Sequence, residues 1–400
     1  MEGSASVPRL LLMARIFGIL FFLLWGAVGY FLSASEAFGR EAAFAWVAGG
    51  AFGFVLQRSR FCFFCNLRDF LEHRIAAGAL ALLLAFAVGL VGYHVVTGAW
   101  IVDPSAGHLP PKAHISPVGW NLLAGGFLFG LGMAVSGSCI SAHLYRLGEG
   151  AVVCVFALLG LIPGFVLGFL AWNPIYLAWV SGRRAVWLPA HGGFALALVA
   201  QLLVLGLAAF LVWKSSRPGE PAESSSPRSL RDLGRAVFVN RWPAWVGGLA
   251  VGLISVAMIL RLEPLGVTSE FFRLSRHLGD AFGLLPERLE GLDVIRGCSQ
   301  RQAEGFLSRG VLFVLALVLL SLAAALISGD FSPRWPRAGE LVGALGGGVL
   351  LGVGAMWSFG CTVGTLLSGI HASALSGWVF LPALLGGLLV GLPIRRKLVP

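Results

Sequence analysis

The sequence predicts an all-α polytopic membrane protein with about ten transmembrane spans in two inverted pseudo-symmetric repeats, joined by short re-entrant helix-loop elements. Three observations lead there. Hydrophobic residues make up 57% of the 400-residue chain and charged residues only 12%, with a mean hydropathy of +0.85; a soluble domain carries roughly 25% charged residues because its surface must face water. The apolar residues fall into runs long enough to span a bilayer. Finally, one half of the chain echoes the other at a fixed offset. The 55 glycines fit the same class, because small residues let membrane helices approach closely.

A span needs about 20 apolar residues to cross roughly 30 Å of hydrocarbon. Ten runs qualify, near 10–33, 41–57, 75–98, 118–136, 150–171, 192–213, 243–260, 308–328, 339–358 and 375–392. The first is read as an N-terminal anchor span over 1–40. It is too long for a signal peptide, and Ser35-Glu36-Ala37 is a weak cleavage site. A first transmembrane half then covers 41–213. The segment 214–241, with Ser224-Ser225-Ser226 among Pro218, Pro221 and Pro227, reads as a polar linker. The second half covers 242–400.

Lys and Arg placement sets orientation. The linker carries Lys214, Arg217, Arg228, Arg231, Arg235 and Arg241, the tail Arg395, Arg396 and Lys397, and the start Arg9 and Arg15. Six spans precede the linker and four follow it. Both termini and the linker are therefore expected in the cytoplasm, which leaves Arg183 and Arg184 outside against the rule. The net charge of +10 follows from this placement rather than from a nucleic-acid-binding face.

Two polar stretches are too patterned for simple connectors. One is Gln57-Arg58-Ser59-Arg60-Phe61-Cys62-Phe63-Phe64-Cys65-Asn66-Leu67-Arg68-Asp69; the other runs from Arg261 to Arg309 and contains Arg296-Gly297-Cys298-Ser299-Gln300-Arg301. As ordinary loops, their arginines would be topological or phospholipid-facing. As re-entrant helices they would line a polar cavity, the one place where broken backbone is tolerated at membrane depth.

The repeat is gap-free. Gly125-Gly126-Phe127-Leu128-Phe129-Gly130-Leu131-Gly132-Met133-Ala134-Val135-Ser136-Gly137-Ser138-Cys139 aligns with residues 347–361, matching Gly125/Gly347, Gly126/Gly348, Gly130/Gly352, Gly132/Gly354, Ser136/Ser358 and Cys139/Cys361, all 222 positions apart (361 − 139). An odd number of spans between the cysteines inserts the two units in opposite senses, the architecture of many secondary transporters. Each Gly-rich span ends at a Ser-x-x-Cys turn followed by a shorter apolar segment, Ile140 to Leu147 and Thr362 to Ile370. A helix that restarts after such a break aims unpaired N–H groups at it, which suits an anion.

A cysteine in an apolar helix is usually a small packing residue, and Cys154 is read that way. Cys139 and Cys361 differ because both stand at the broken position of a repeat. Cys62 and Cys298 lie in the polar stretches. The single Cys62/Cys65 pair lacks the partner pair a structural zinc site needs, so no metal is expected.

The pattern Gly130-x-Gly132-Met133-x-x-x-Gly137-Ser138-Cys139, followed by Leu144-Tyr145-Arg146-x-Gly148-Glu149-Gly150, resembles the YeeE/YedE sulfur-transport family. So do Arg60-Phe61-Cys62-Phe63 with Arg68-Asp69, and Phe359-Gly360-Cys361 with Ser368-Gly369. The resemblance covers roughly 41–171 and 243–392. The family often has Gly-Gly-Cys where this chain has Gly137-Ser138-Cys139 and Phe359-Gly360-Cys361.

The resemblance implies a bacterial inner-membrane importer of thiosulfate, or a closely related sulfur-containing anion, passing it through a cysteine-lined constriction. It implies no cofactor and no enzymatic step, and a TusA-like sulfur-carrier protein as a partner. The transport residues expected are Cys139, Cys361, Cys298 and Cys62, with Ser136, Ser358, Gly137 and Gly360 at the turns. Arg60, Arg68, Arg146, Arg296 and Arg301 would collect the anion at the mouths. Neutral thiols suit the neck: S–H is a weak donor and sulfur is polarizable, so water is replaced without trapping the ion. The alternatives are a membrane sulfurtransferase relaying sulfane sulfur as a cysteine persulfide, or a transporter of a selenium compound.

Overall fold

Backbone amides inside a bilayer find no water, so each apolar run must satisfy its hydrogen bonds internally and folds as a helix. The computed structural model describes residues 6–36, 38–106, 109–110, 113–217, 229–292 and 307–398. The helices are α1 Ser6–Ala34, α2 Gly39–Ser59, α3 Phe63–His73, α4 Ala76–Trp100, α5 Trp120–Ser136, α6 Ile140–Gly148, α7 Val153–Leu170, α8 Trp172–Ile175, α9 Pro189–Lys214, α10 Leu230–Phe238, α11 Ala244–Arg261, α12 Ser269–Ala281, α13 Arg309–Ser328, α14 Ala338–Trp357, α15 Gly369–His371 and α16 Leu375–Leu398. Short π-helices cover Tyr176–Val180 and Thr362–Ser368. No strand occurs among the described residues.

Each of the ten expected spans falls on one long helix. Among the described residues, nine candidate spans are long and apolar enough to cross a membrane, one of them combining α5 and α6 as Trp120–Gly148. The helix outside that set is α2, whose ends carry Arg40, Glu41 and Arg58. It is nevertheless buried along most of its length, through Ala42 to Arg58.

The partners are reciprocal. Helix α2 packs on α13 and α11 packs on α4; α7 packs on α14 and α16 packs on α5; α5 and α14 pack on each other. The α5–α14 crossing is antiparallel. Gly125 lies against Gly354 and Ser358, Gly132 against Gly347 and Leu351, and Gly347 against Ser136. A side chain is excluded there: a Cβ on Gly347 would stand 2.5 Å from the Ser136 amide nitrogen. The same close approach recurs where Gly130 and Gly387 meet the backbones of Leu384 and Phe127. These glycines keep α5, α14 and α16 in backbone contact.

The start of α1, the end of α16 and both edges of the linker lie on one face. Leu11 of α1 is beside Gly329, Arg396 pairs with Glu72, and the Arg217 amide donates to Arg74 O at 3.1 Å. Arg183 and Arg184 are exposed on the segment between α8 and α9.

On the linker face a buried cation ties the halves together. Arg58, fully buried, donates through Nη2 to Val239 O at 2.8 Å and Asn240 O at 2.9 Å, and its Nη1 lies 3.5 Å from Asp330 Oδ2. Arg241 reaches Asp330 Oδ1 at 3.0 Å, and the Gln57 amide donates to both Asp330 and Glu149. Burial pushes the Glu149 carboxyl up. At Asp330 burial acts in the same direction, but the Ser328 hydroxyl, Arg241, the Gln57 amide and Arg58 outweigh it and hold that carboxyl below its ordinary value.

Two outcomes follow. Gly347→Val overpacks the α5–α14 crossing and costs about 1–3 kcal/mol, whereas Gly346→Val, with nothing within 4 Å of its Cβ, changes stability little; thermal unfolding of both purified variants measures the difference. Because the folded Asp330 value is depressed, its contribution is complete above the ordinary carboxylate value of about 4 and fades as pH falls through the folded one. The Tm gap between wild type and Asp330→Asn is therefore present at neutral pH and closes in acid, as a Tm series against pH reads directly.

Candidate functional site

Both Ser-x-x-Cys turns break a helix, and they are held in the same way. Ser136 Oγ donates to Ser138 O at 3.2 Å, and Ser358 Oγ donates to Gly360 O at 3.1 Å. Seven residues past each serine a second side chain returns to the turn. His143 Nε2 lies 3.1 Å from Ser136 Oγ, and Thr365 Oγ1 donates to Ser358 O at 3.0 Å. The left-handed residue needed to leave the helix is Gly137 at φ 87° in the first turn and Phe359 at φ 62° in the second. A non-glycine there is strained; the buried Phe359 ring is held against Trp172, 5.6 Å between centroids. Cys139 then caps α6, and Cys361 caps the π-helix Thr362–Ser368.

The polar stretch before α3 makes a third such start. Arg60 ends α2 in the left-handed region at φ 49°, and Cys62 caps α3 with its sulfur accepting from the Cys65 amide at 3.4 Å. The Cys62 thiol is a close neighbour of both the Cys65 and the Cys139 thiols. Cys139 in turn sits beside the backbone N–H groups of Phe63 and Ala142 and 3.3 Å from Ser141 Oγ. Two helix N-termini, of α3 and α6, therefore converge on one pair of buried sulfurs. Each N-terminus carries partial positive charge, and the N–H and S–H groups gathered there are donors of a kind that suits an anion.

Cys361 belongs to a separate level. Since Ser136 abuts Gly347 and Ser358 lies eleven residues further along, the two breaks are about 16 Å apart along the pair at 1.5 Å per residue. The second turn is lined by the hydroxyls of Ser358 and Thr365, and by Asn121, whose amide donates to Trp357 O at 2.9 Å.

The arginines divide. Arg60 is exposed at the linker face. Arg68 lies on α3, paired with Asp69 at 2.7 Å, and Arg146 at the end of α6 donates to Ser138 Oγ at 2.8 Å. Cys154 is fully buried in α7, as a packing residue should be. Cys298, Arg296 and Arg301 lie outside the described residues.

With this geometry in place, comparison with known proteins identifies the lineage. Residues 58–390 match the sulphur transport family, a stretch that contains every turn described above. The chain belongs to the sulphur transport family. Within it, the chain is similar to the thiosulfate transporter TsuA of Escherichia coli, 26% identical over 347 residues that cover 83% of this chain and 88% of that protein. It is likewise similar to the thiosulfate transporter TsuA of Spirochaeta thermophila, 27% identical over 350 residues covering 83% and 92%. A shorter likeness, 29% over 129 residues and 32% of this chain, joins it to the probable transporter YedE of Salmonella typhimurium. This member of the sulphur transport family is a multi-pass membrane protein.

Sequence reasoning missed His143 and Thr365, which close the turns, Asn121 beside the second turn and, most completely, Arg395. Arg395, which reads as a topological tail arginine, turns inward from the last turn of α16 to within 3.4 Å of Ala134 O. Nothing in its sequence setting distinguishes it from Arg396 or Lys397.

The sulfur geometry is directly testable. Mild oxidation of the solubilised protein with diamide is expected to join Cys62 to Cys139 or to Cys65, read by peptide mass mapping. A Cys139–Cys361 bond would contradict the separation of the two turns.

Proposed function

We propose that this protein imports thiosulfate, or a closely related sulfur-containing anion, across the bacterial inner membrane without chemically altering it. The observation that carries the reading is the convergence of the α3 and α6 N-termini on the Cys62–Cys139 pair. The names of the two full-length relatives support the substrate class.

Thiosulfate is a dianion with a terminal sulfur, and its passage through low dielectric requires donors that replace water without holding it fast. In this reading the anion meets Cys361 and the hydroxyls of Ser358 and Thr365 at one level. It then meets the Cys139 and Cys62 thiols with the N–H groups of Phe63 and Ala142 at the next. The thiols act as neutral donors, since a thiolate would repel the cargo. Gly137 and Gly360 let the backbone pass close to the path, and Arg68 and Arg146 draw the anion to the mouth. The reciprocal helix partners and the matched bonds at Ser136 and Ser358 support two inverted halves, 41–213 and 242–400, with 1–40 as an added anchor. The basic residues gathered on the linker face support cytoplasmic termini and a cytoplasmic linker over 214–241. A TusA-like carrier at that face would be the recipient.

Uptake of radiolabelled thiosulfate by cells lacking other importers tests the reading. Cys139→Ser and Cys361→Ser are each expected to nearly abolish uptake at normal membrane levels, and Cys154→Ser to leave it close to wild type. Undiminished uptake by both turn variants would sink the cysteine path. Label retained on a cysteine with no entry of intact anion would replace transport with a sulfur-relay enzyme.

A further inference from the structure

Three guanidinium groups crowd the linker side of the Cys62–Cys139 contact. Arg68 and Arg395 both stand over the Phe64 ring, with Cζ 5.6 Å and 5.7 Å from its centroid. Arg395 and Arg146 flank the first turn: a Cβ on Gly137 would lie 2.0 Å from Arg395 Nη1, and the next residue, Ser138, accepts from Arg146 Nη1 at 2.8 Å. The missing side chain at Gly137 is thus the space that Arg395 fills.

Only one of the three has a carboxylate paired directly with it. Asp69 pairs with Arg68. Among the described residues, neither Arg146 nor Arg395 forms an ion pair. The other acids nearby act on them only from a distance and bond elsewhere: Glu149 accepts from Gln57, Glu340 from Arg334 and the Arg337 amide, and Glu72 from Arg396. Like charges held together against their repulsion, half-buried and beside two helix N-termini, favour a counter-anion. The forks are planar and multiply donating, which suits an oxyanion with several equivalent oxygens better than a spherical halide.

We propose that Arg68, Arg146 and Arg395 form a single binding site for a sulfur oxyanion on the linker side of the cysteine contact, with Arg395 supplying the charge that makes it a site. The proposal rests on the reading that the chain carries such an anion. It gives the path an end where the cargo is held by full charges after the neutral thiols, and it explains why a tail arginine folds back into the bundle. Arg68, a third exposed, opens the site towards the linker face.

The test uses the purified full-length chain in detergent micelles. Tm is measured against sodium thiosulfate and against sodium sulfate, with sodium chloride at matched ionic strength. Both oxyanions are expected to raise the wild-type Tm beyond the chloride control. Arg395→Gln is expected to weaken that response by about tenfold in apparent Kd, in line with loss of a charge-assisted pair. Without oxyanion its Tm should equal or exceed wild type, because a repelling charge has gone; a residue with only a packing role would lower it. Arg395→Lys, keeping charge but not the fork, should fall between. If Arg395→Gln does not fold, Arg68→Gln gives the same readout. An absent oxyanion response in wild type, or an unchanged response in the variants, overturns the site. Thiosulfate uptake into proteoliposomes is scored separately. Binding through Arg395 without uptake would defeat the proposed function and leave the site standing, whereas uptake with unchanged binding in Arg395→Gln would do the reverse.

Discussion

A helix broken at membrane depth strands backbone groups that lipid cannot satisfy, and the way two such breaks are satisfied governs the rest of this structure. Ser136 and Ser358 each bend their hydroxyl over the turn to a carbonyl two residues on, and His143 and Thr365 close the turn from the following segment. Once those bonds are made, the α6 N-terminus has one place to point. It aims at Cys139, and the α3 N-terminus arrives at the same sulfur through Phe63. The donor-rich site results from solving a hydrogen-bonding problem.

The glycines serve that constraint. Helices that end inside the bundle lose packing surface, and the loss is offset when their neighbours come close enough for backbone contact. Gly125, Gly132, Gly347 and Gly354 bring α5 and α14 together, and Gly160, Gly164 and Gly348 do so for α7 and α14. In lipid, where burying apolar surface gives little drive between helices, such close packing supplies much of the association. The 222-residue echo in sequence thus preserves packing and turn geometry together.

Much of this was legible in the sequence, for physical reasons. Hydropathy marked the spans because lipid imposes length and apolarity at once, and α2 was found despite its charged ends because its interior stays apolar. The turns were legible because a serine and a cysteine recur at one offset, and the bonds they make recur with them. Cys62 was suspected from charge and thiols at a span end, but its pairing with Cys139 joins residues 77 positions apart (139 − 62), a contact no local pattern encodes. Arg58 gave no hint that it would be buried, because three of its partners, Val239, Asn240 and Asp330, lie in the other half of the chain or the linker. Arg395 was hidden most completely. In sequence it satisfies the rule for cytoplasmic arginines, and only the empty side-chain position at Gly137 reveals where it goes.

The contrast between the two turns bears on direction. The turn at Ser358–Cys361 is held by hydroxyls and an amide, and the turn at Ser136–Cys139 has arginines on both sides. A dianion crossing low dielectric is costly wherever full charges or water are lacking, so neutral donors alone would give a shallow well at the Ser358–Cys361 turn. Arginines beyond the Ser136–Cys139 turn would deepen the next one. On the proposed path a well at the far end would favour forward occupancy, and the exposure of Arg68 to the linker face would let water and mobile ions screen it so that the ion could leave. Placing the charges in the neck instead would have trapped the cargo, and placing none would have left the crossing without a pull. On the proposed path the buried thiols would stand at the neck and the arginines beyond it, which is the order that passage of a doubly charged ion demands.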